Sequence, residues 1–354
     1  MPPHFCLLIW GLPLVLTCRL NKIGVRLWKR WIKNSLLGVY VDDLLVTGSC
    51  HKQLQDFKSE MNTKFEMSDL GLLSYYMGIE VSQQDGVITL KHEAYAKNLL
   101  IKTRMLDCNP TKSPMEHKLK LRRDEEGELV NPTEYMSIVE GLRYLTHTRP
   151  DISFAVGVVS RYMERPTTKH LQAVKGILRY VKGTLDYGLK YSRGRKEVVI
   201  VGYTNSDLGN DVNDRRSTGG MAFYVNGNLI TWASQKHRCV ALSSCEAEFM
   251  AATLAACQGI WLRRLLREIT GQTVPPVTLL VDNRSSLDLM KNPVFHGRSK
   301  HRDIRFHFIR ECIENGEITV SHVSSKEQKA DILTKTLGRI KHEEMWNLIG
   351  VKKF

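Results

Sequence analysis

The chain has 354 residues, 42% of them hydrophobic, so it is long enough for two or three domains and too apolar to be disordered. Its net charge of +14 favours a polyanionic partner, most simply nucleic acid. The eight cysteines include no CxxC pair, which argues against zinc and predicts reduced thiols in an intracellular protein. The apolar run at residues 5–18 is short and interrupted by Pro13, so neither a membrane span nor a signal peptide is expected.

Residues 36–48 are apolar on both sides of Asp42 and Asp43, which predicts a hairpin with the two acids at its tip. Burying two adjacent carboxylates is costly unless a cation offsets their repulsion, although an ordinary turn containing Asp gives the same pattern. An amphipathic helix at 53–65 follows. Two strands joined at Asp85-Gly86 come next, and then a helix at 92–105.

Residues 108–130 are polar and contain two prolines, so we interpret them as a linker. Three helical segments follow at 135–148, 152–164 and 168–184, and each break between them carries Pro or Gly. The last segment bears the basic residues Lys169, Lys175, Arg179 and Lys182. They are candidates for contact with a phosphate backbone, although a solvated helix face has the same composition.

Alternating strands and helices fill the remaining sequence and predict a mixed sheet. The predicted strands are 197–204, a hairpin of 219–225 and 228–235 around Asn226-Gly227, a short strand at 240–243, a strand ending at Asp282, and 317–323. The predicted helices are one capped by Ser244 and running to about residue 268, a short one near 285–290, a basic one at 301–315, and a last one that bears Asp331. The helix after Ser244 places Leu254, Cys257, Trp261 and Leu265 on one face.

Three carboxylates, Glu248, Asp282 and Asp331, come from separate elements of this alternating unit. Such convergence suits divalent metal binding, because hard cations prefer oxygen ligands and a two-metal site needs several carboxylates. A fourth carboxylate is expected at the end of the first strand, where the chain has Asn205. Asp207 is two residues further on, on the same side of the strand and roughly 6 to 7 Å away.

Seven short sequences occur in a fixed order: YVDD, TRPDISFAVGVVSRYM, GNDVNDRRSTGG, SSCEAEF, VDN, SKHRDIRFHFIRE and ADILTK. Together they resemble the carboxy-terminal part of a copia-type LTR-retrotransposon Pol polyprotein over residues 36–345. The resemblance implies a multidomain α+β and α/β fold. It places an atypical amino terminus at 1–35, a reverse-transcriptase palm remnant at 36–115, a helical thumb or connection segment at 116–195, and a ribonuclease H-like mixed sheet with helices at 196–345.

The same resemblance implies site residues and ligands. It assigns the polymerase metal pair to Asp42 and Asp43, and the ribonuclease H metal ligands to Asp207, Glu248, Asp282 and Asp331, with two Mg²⁺ ions and an RNA–DNA hybrid as substrate. His322 resembles a loop histidine that assists product release, although a strand-end histidine is an equal alternative. Only 41 residues precede Asp42 and none is acidic, so no polymerase activity is expected.

Three functional hypotheses remain open on the sequence alone. The chain is a decayed Pol fragment with impaired ribonuclease H, a non-catalytic basic nucleic-acid-binding module, or an active ribonuclease H that uses Asp207. An intracellular location is expected in each case, in the cytoplasm or the nucleus, with no membrane association. The sequence does not fix the oligomeric state.

Overall fold

A computed structural model of the chain describes residues 14–18, 35–40, 43–48, 50–123, 127–194, 197–291 and 300–354. The strands are β1 (Leu14–Cys18), β2 (Ser35–Tyr40), β3 (Asp43–Gly48), β4 (Met67–Leu72), β5 (Tyr75–Tyr76), β6 (Ile79–Gln84), β7 (Val87–Lys91), β8 (Tyr187–Ser192), β9 (Ile200–Ser206), β10 (Thr218–Val225), β11 (Asn228–Lys236), β12 (Val277–Val281), β13 (Ile318–His322) and β14 (Val351–Lys353). The α-helices are α1 (His51–Lys64), α2 (Glu93–Lys102), α3 (Pro132–Leu145), α4 (Ser153–Val159), α5 (Thr168–Lys182), α6 (Ser244–Thr270), α7 (Arg284–Lys291), α8 (Lys300–Glu314) and α9 (Arg339–Ile349). Short 3₁₀ helices lie at Pro150–Ile152, Ser160–Tyr162 and Asp331–Leu333. The predicted multidomain mixture of helices and sheets is confirmed.

The first sheet is antiparallel, with the strand order β2-β3-β1-β4. Helix α1 covers it, and Leu54 and Phe57 of that helix belong to a small core with Leu44 and Val46 of β3. Strands β2 and β3 form the predicted hairpin, in which Tyr40 lies opposite Asp43. The sheet therefore places the start of β3 at the tip of the hairpin.

The second sheet has the strand order β14-β8-β7-β6-β5. Strands β6 and β7 are joined at Asp85 and Gly86, whose φ angles are 49° and 75°. Positive φ at both central residues is the geometry that suits a two-residue hairpin, because its twist matches that of the strands. The predicted turn is confirmed. Strands β8 and β14, which pair with each other although they lie far apart along the chain, were not predicted from the sequence.

A helical core is formed by the segment between β7 and β8 of the second sheet. Tyr135, Val139, Leu142, Ile177 and Val181 from α3 and α5 are at most 1% exposed and share one cluster. The predicted middle helix is α4, flanked on both sides by 3₁₀ turns. The predicted linker contains no helix or strand among its described residues, but it contributes buried side chains to the same cluster. The linker therefore packs against the helices it precedes.

The third sheet has the order β11-β10-β9-β12-β13. Strands β9, β10 and β11 are antiparallel neighbours, whereas β12 runs parallel to both β9 and β13. Helix α6 packs on this sheet through small residues such as Ala252, Ala256 and Gly259. A Cβ at Gly259 would lie 3.1 Å from Val277 and 3.2 Å from Phe223, so the small side chain allows close approach of the helix. This arrangement agrees with the ribonuclease H-like sheet that the resemblance implies.

Two predictions at the start of α6 are wrong. No strand forms at 240–243, because the backbone there caps the helix: Ser243 Oγ accepts from Glu246 N at 3.1 Å, and Glu246 Oε2 accepts from Leu242 N at 2.8 Å. The capping residue is therefore Ser243, one residue before the predicted Ser244.

Two further expectations also need correction. Leu254 and Trp261 are 47% and 42% exposed, because the alanine-rich side of α6 and not their side faces the sheet. Asp331 lies on the 3₁₀ turn Asp331–Leu333, and the last helix begins only at Arg339. The carboxylate is thus presented by a tight turn that packs on β10, and not by a helix.

The carboxyl end of the chain joins the second sheet to the third. Strand β14 pairs with β8, and Tyr224 on β10 donates to the carbonyl of Ile349 at 2.8 Å. Buried side chains from both sheets and from α9 form one cluster. The segments predicted as palm and helical segment therefore share a sheet, and both share a core with the segment predicted as ribonuclease H. The predicted boundaries at 115, 195 and 345 stay a prediction.

Two predictions from composition concern the chain as a whole. Cys50, Cys108, Cys239, Cys245, Cys257 and Cys312 form no disulfide, and the reduced state of the thiols stays a prediction. Within the part of the chain that the structure describes, no helix has the length and apolar character needed to cross a bilayer. The end of the amino-terminal apolar run, β1, is a strand, and residues 5–13 lie outside the described part.

Candidate active site

The candidate site lies where β9 ends. Asn205 is the penultimate residue of β9 and is 4% exposed. Strand β10 runs beside it, with Gly220 directly opposite Asn205. A Cβ at Gly220 would lie 2.7 Å from Thr334 Cγ2 and 2.8 Å from Leu333 Cβ. The missing side chain therefore lets the turn that carries Asp331 lie directly on the sheet.

Asn205 and Asp331 are in direct contact. The Asn205 amide nitrogen donates a short hydrogen bond to Asp331 Oδ1 and a longer one, 3.4 Å, to the hydroxyl of Thr334. The amide oxygen accepts from the backbone nitrogen of Ser206 at 2.7 Å. Lys335 adds an ion pair, with its Nζ 2.8 Å from the same Asp331 Oδ1. Asp331 is therefore satisfied by two donors from the protein itself.

Glu248 reaches this site from the second turn of α6. Its Oε1 accepts from Ser206 N at 3.1 Å, whereas the buried Oε2 has no hydrogen-bond partner among the described residues. Burial and the negative charges of Asp282 and Asp331 raise the pKa of Glu248 to about 8, against the opposing effects of the Ser206 hydrogen bond and the Lys335 charge. At neutral pH the carboxyl group is therefore largely protonated.

Asp282 follows β12 directly, and its Oδ2 accepts from the hydroxyl of Ser325 at 3.2 Å. His322 is the last residue of β13, pairs in parallel register with Val281, and is exposed. Because β12 and β13 end at the same edge of the sheet, His322 lies beside the strand that presents Asp282. The sequence-derived role of His322 stays a prediction.

The structure gives Asp207 a different set of contacts. Its Oδ1 accepts from Thr218 N at 2.7 Å, and it lines a cavity of about 30 Å³ together with Arg161 and Asp211. Burial raises the pKa of Asp207 to about 6, opposed by the Thr218 hydrogen bond and by the charges of Arg161 and Lys120. In a strand, side chains two residues apart lie on the same side, which is why Asp207 was expected beside Asn205. Strand β9 ends at residue 206, so this rule does not apply to Asp207.

The polymerase pair lies in the first sheet. Asp43 is half-buried at the start of β3, opposite Tyr40 and Thr17 of the neighbouring strands. Asp42 lies outside the described residues. The structure thus confirms the hairpin around this pair, and its role in metal binding stays a prediction.

The arrangement around Asn205 can be tested against the chemistry of a divalent ion. Among the described residues, no three His, Cys, Asp or Glu side chains are placed to hold a metal. Asp331 is engaged by Lys335 and by the Asn205 amide, and Asn205 offers one neutral oxygen in place of two charged ones. The donors as arranged therefore do not fit a divalent ion.

Sequence reasoning missed Lys335, although its spacing of four residues from Asp331 within ADILTK was available as a signal. It also missed Ser206 and Ser325, whose contributions are one backbone nitrogen and one hydroxyl group. Such groups carry no distinctive pattern in a sequence.

Comparison with known sequences shows which family the chain belongs to. A family model described as "Reverse transcriptase (RNA-dependent DNA polymerase)" matches residues 22–117. The chain is 36% identical over 336 residues to the Pol polyprotein of the tobacco (Nicotiana tabacum) transposon TNT 1-94, covering 92% of this chain and 25% of that one. It is 31% identical to a putative transposon Ty5-1 protein of Saccharomyces cerevisiae, over 61% of this chain and 71% of that one.

A solved structure of the foamy viral protease-reverse transcriptase with an RNA/DNA hybrid aligns with 82% of this chain and 36% of that one, at 13% identity and a TM-score of 0.45. The chain belongs to the Pol polyproteins of copia-type retrotransposons, and its residues 22–117 match the reverse transcriptase of that family. It spans about a quarter of the length of the tobacco polyprotein.

Proposed function

We propose that this chain binds RNA–DNA hybrids through its ribonuclease H-like part and hydrolyses the RNA strand poorly or not at all. The observation that carries the proposal is the convergence of Glu248, Asp282 and Asp331 on Asn205 at the end of β9. Three carboxylates at one edge of this sheet are the remains of a phosphodiester-cleaving site. The fourth position holds an amide.

The amide changes the chemistry of the site in two ways. Asn205 is neutral, and its single acceptor oxygen is already bonded to Ser206 N. Its nitrogen donates to Asp331, so that carboxylate is less available to other partners. Reverse transcriptases and ribonucleases H generally use divalent metals. The Mg²⁺ pair that the family resemblance implies would need a rearrangement of these contacts.

Hybrid binding is supported by charge. The chain carries a net +14, and Lys175 is exposed on α5. In the basic helix predicted at 301–315, the side chains of 301–306 lie outside the described residues, and Arg310 is half-buried. The Asp42–Asp43 hairpin is proposed as the counterpart of the polymerase site, with DNA synthesis a property of the whole polyprotein. An intracellular location follows from such a substrate.

The cleavage proposal is tested with a labelled RNA–DNA hybrid in Mg²⁺. The natural protein is expected to show barely detectable cleavage, and Asn205→Asp is expected to raise it, because it restores the charge at the end of β9. Each tenfold gain corresponds to about 1.4 kcal/mol of barrier. Asp207→Asn is the matched control and is expected to change little. Asn205→Asp combined with Asp282→Asn is expected to abolish the gain.

Strong cleavage by the natural protein that disappears with Asp207→Asn would overturn this proposal. It would show that Asp207 serves as a metal ligand in spite of its separate contacts, and that the chain is an active ribonuclease H.

A second candidate is a binding module with no remaining catalytic capacity, favoured by the net charge. Fluorescence anisotropy with a hybrid should show affinity that falls steeply between about 50 and 200 mM salt, because phosphate contacts release counterions. Lys175→Gln should weaken binding and reduce the salt slope by about one, whereas Lys97→Gln on α2 should not. Retained binding with no cleavage by Asn205→Asp would favour this candidate, and a flat salt response would contradict both.

A further inference from the structure

Asp331 is the most heavily engaged carboxylate of the candidate site. Its Oδ1 accepts from Lys335 Nζ at 2.8 Å and from the Asn205 amide nitrogen. The Asp331 side chain is 7% exposed, whereas that of Lys335 is 45% exposed. A surface lysine thus reaches inward and places its charge against a buried acid.

The orientation of Asn205 is fixed by its surroundings. Its oxygen accepts from Ser206 N at 2.7 Å, so its nitrogen must face Asp331 and Thr334. An aspartate in the same position would present an oxygen to Asp331 Oδ1 at hydrogen-bond distance. Two carboxylate oxygens that close repel each other unless a cation or a proton lies between them. Asn205 therefore lacks the carboxylate that could bind a metal, and it also donates a hydrogen bond to Asp331. An aspartate at this position would require a cation to offset its repulsion from Asp331.

Glu248 completes the arrangement. It is 5% exposed, and its Oε2 has no hydrogen-bond partner among the described residues. Lys335 and Asn205 both contact Asp331, and neither donates a hydrogen bond to Glu248. The partners supplied by the protein are thus directed to Asp331, whereas Glu248 Oε2 stays buried without one.

We propose that Lys335 and Asn205 take the place of a divalent cation as the partners of Asp331, and that Lys335 competes directly with Mg²⁺ or Mn²⁺ for this carboxylate. The proposal rests on the proposed function, since it concerns the same site. It assigns Lys335 a role as an internal counter-ion that holds the site in a metal-free state.

The test is binding of Mn²⁺ alone, measured by the electron paramagnetic resonance signal of the free ion, on the whole chain without nucleic acid. Lys335→Gln is expected to tighten Mn²⁺ binding about tenfold, which corresponds to about 1.4 kcal/mol. Lys97→Gln is the matched control, since Lys97 pairs with Glu93 at the same 2.8 Å and the same spacing, with 49% exposure. The control is expected to shift binding less than about twofold, the effect of a distant surface charge.

Two further variants make the result specific to this site. Asn205→Asp with Lys335→Gln should bind Mn²⁺ more tightly than either single variant, and its melting temperature should rise when Mn²⁺ is added. In an Asp331→Asn background, the gain from Lys335→Gln should disappear, because the carboxylate that Lys335 contacts is then absent. Lys335→Gln changes an exposed side chain, so its binding can be measured even if Asn205→Asp lowers the melting temperature.

Equal Mn²⁺ affinities for Lys335→Gln and the natural protein would overturn the inference. A gain that survives in the Asp331→Asn background would also overturn it, because the ion would then be bound elsewhere. These outcomes are separate from the cleavage assay. Tighter Mn²⁺ binding with no cleavage by Asn205→Asp would support the inference and favour the binding module over an impaired ribonuclease H, whereas cleavage by Asn205→Asp with no effect of Lys335→Gln would contradict only the inference.

Discussion

The buried ion pair between Arg149 and Asp151 supports a prediction about how the helical core is held against the carboxyl end of the chain. Arg149 donates from Nε to Asp151 Oδ1 at 2.9 Å and from Nη2 to Oδ2 at 2.7 Å. It also donates to the carbonyl of Thr184 at 2.8 Å, and Tyr180 donates its hydroxyl to Asp151 Oδ2 at 2.7 Å. The two side chains are 4% and 0% exposed, and His342 of α9 contacts the Asp151 carbonyl.

Asp151→Asn removes the negative charge and leaves Arg149 buried without a counter-ion. It also replaces one acceptor oxygen by an NH₂ group that faces other donors. Breaking a buried pair by removing one partner typically costs about 3 to 5 kcal/mol, because the remaining charge is uncompensated. We therefore expect the free energy of unfolding to fall by about 4 kcal/mol. Urea titration at pH 7, followed by circular dichroism and tryptophan fluorescence, measures this value.

Two comparisons separate this explanation from general damage to the core. Glu93→Gln removes an acid that pairs with Lys91 and Lys97 near the surface, and it should lower the free energy of unfolding by less than about 1 kcal/mol. Arg149→Met with Asp151→Leu removes both charges and should recover part of the loss, since replacing both partners avoids an unpaired buried charge. A cost below about 1 kcal/mol for Asp151→Asn, or a double variant less stable than the single one, would refute the reasoning.

Two other predictions concern pH and packing. Burial, together with the nearby charges of His147 and Arg149, lowers the pKa of His92 to about 4, so its contribution to stability is complete above about pH 6.5 and is lost as pH falls through 4. Urea titrations should show a loss of about 2 to 3 kcal/mol between pH 7.5 and 4.5 that is absent in His92→Gln, and an equal loss in that variant would contradict the assignment. Gly220→Ala should destabilise by about 1 to 3 kcal/mol in the same assay, since its Cβ would lie 2.7 Å from a Thr334 methyl group. An Ala at Gly157, where the nearest atom is 3.9 Å away, should be tolerated, and equal effects of the two would count against the packing argument.

Local patterns in the sequence predict much of the fold. The turn at Asp85-Gly86 and the hairpin around Asn226-Gly227 follow from residues that adopt positive φ, and both form in the structure. The mixed character of the third sheet, in which β12 runs parallel to β9 and β13, follows from alternating strands and helices. These features depend on neighbours in sequence and on a resemblance that spans most of the chain.

The missed strands and the misplaced face of α6 depend instead on partners far along the chain. Strand β14 has three residues and is held by β8, more than 150 residues earlier. Helix α6 has apolar residues on more than one side, and only the close approach to β9 and β10 selects the alanine side for burial. Periodicity cannot distinguish two apolar faces when the buried one is made of small residues.

In the candidate site too, some features follow from the sequence pattern and others depend on residues far along the chain. Convergence of Glu248 and Asp331 follows from their places in the alternating pattern, and the structure brings them together. The contacts of Asp207 could not be predicted, because they depend on where β9 ends and on Arg161 from the helical segment. The partner of the Asn205 amide could not be predicted either, since it lies 126 residues away.

The replacement at position 205 has consequences for stability as well as for chemistry. An aspartate there would put a fourth carboxylate into a buried cluster in which Asp282 and Asp331 already raise the pKa of Glu248. Without a cation, each added negative charge in such a cluster disfavours the folded state. The amide removes that repulsion and adds a hydrogen bond to Asp331, so without a bound metal we expect the natural protein to be more stable than Asn205→Asp. Under the proposed function, the same amide would lower cleavage and raise stability, as expected where catalytic groups are held together against their mutual repulsion.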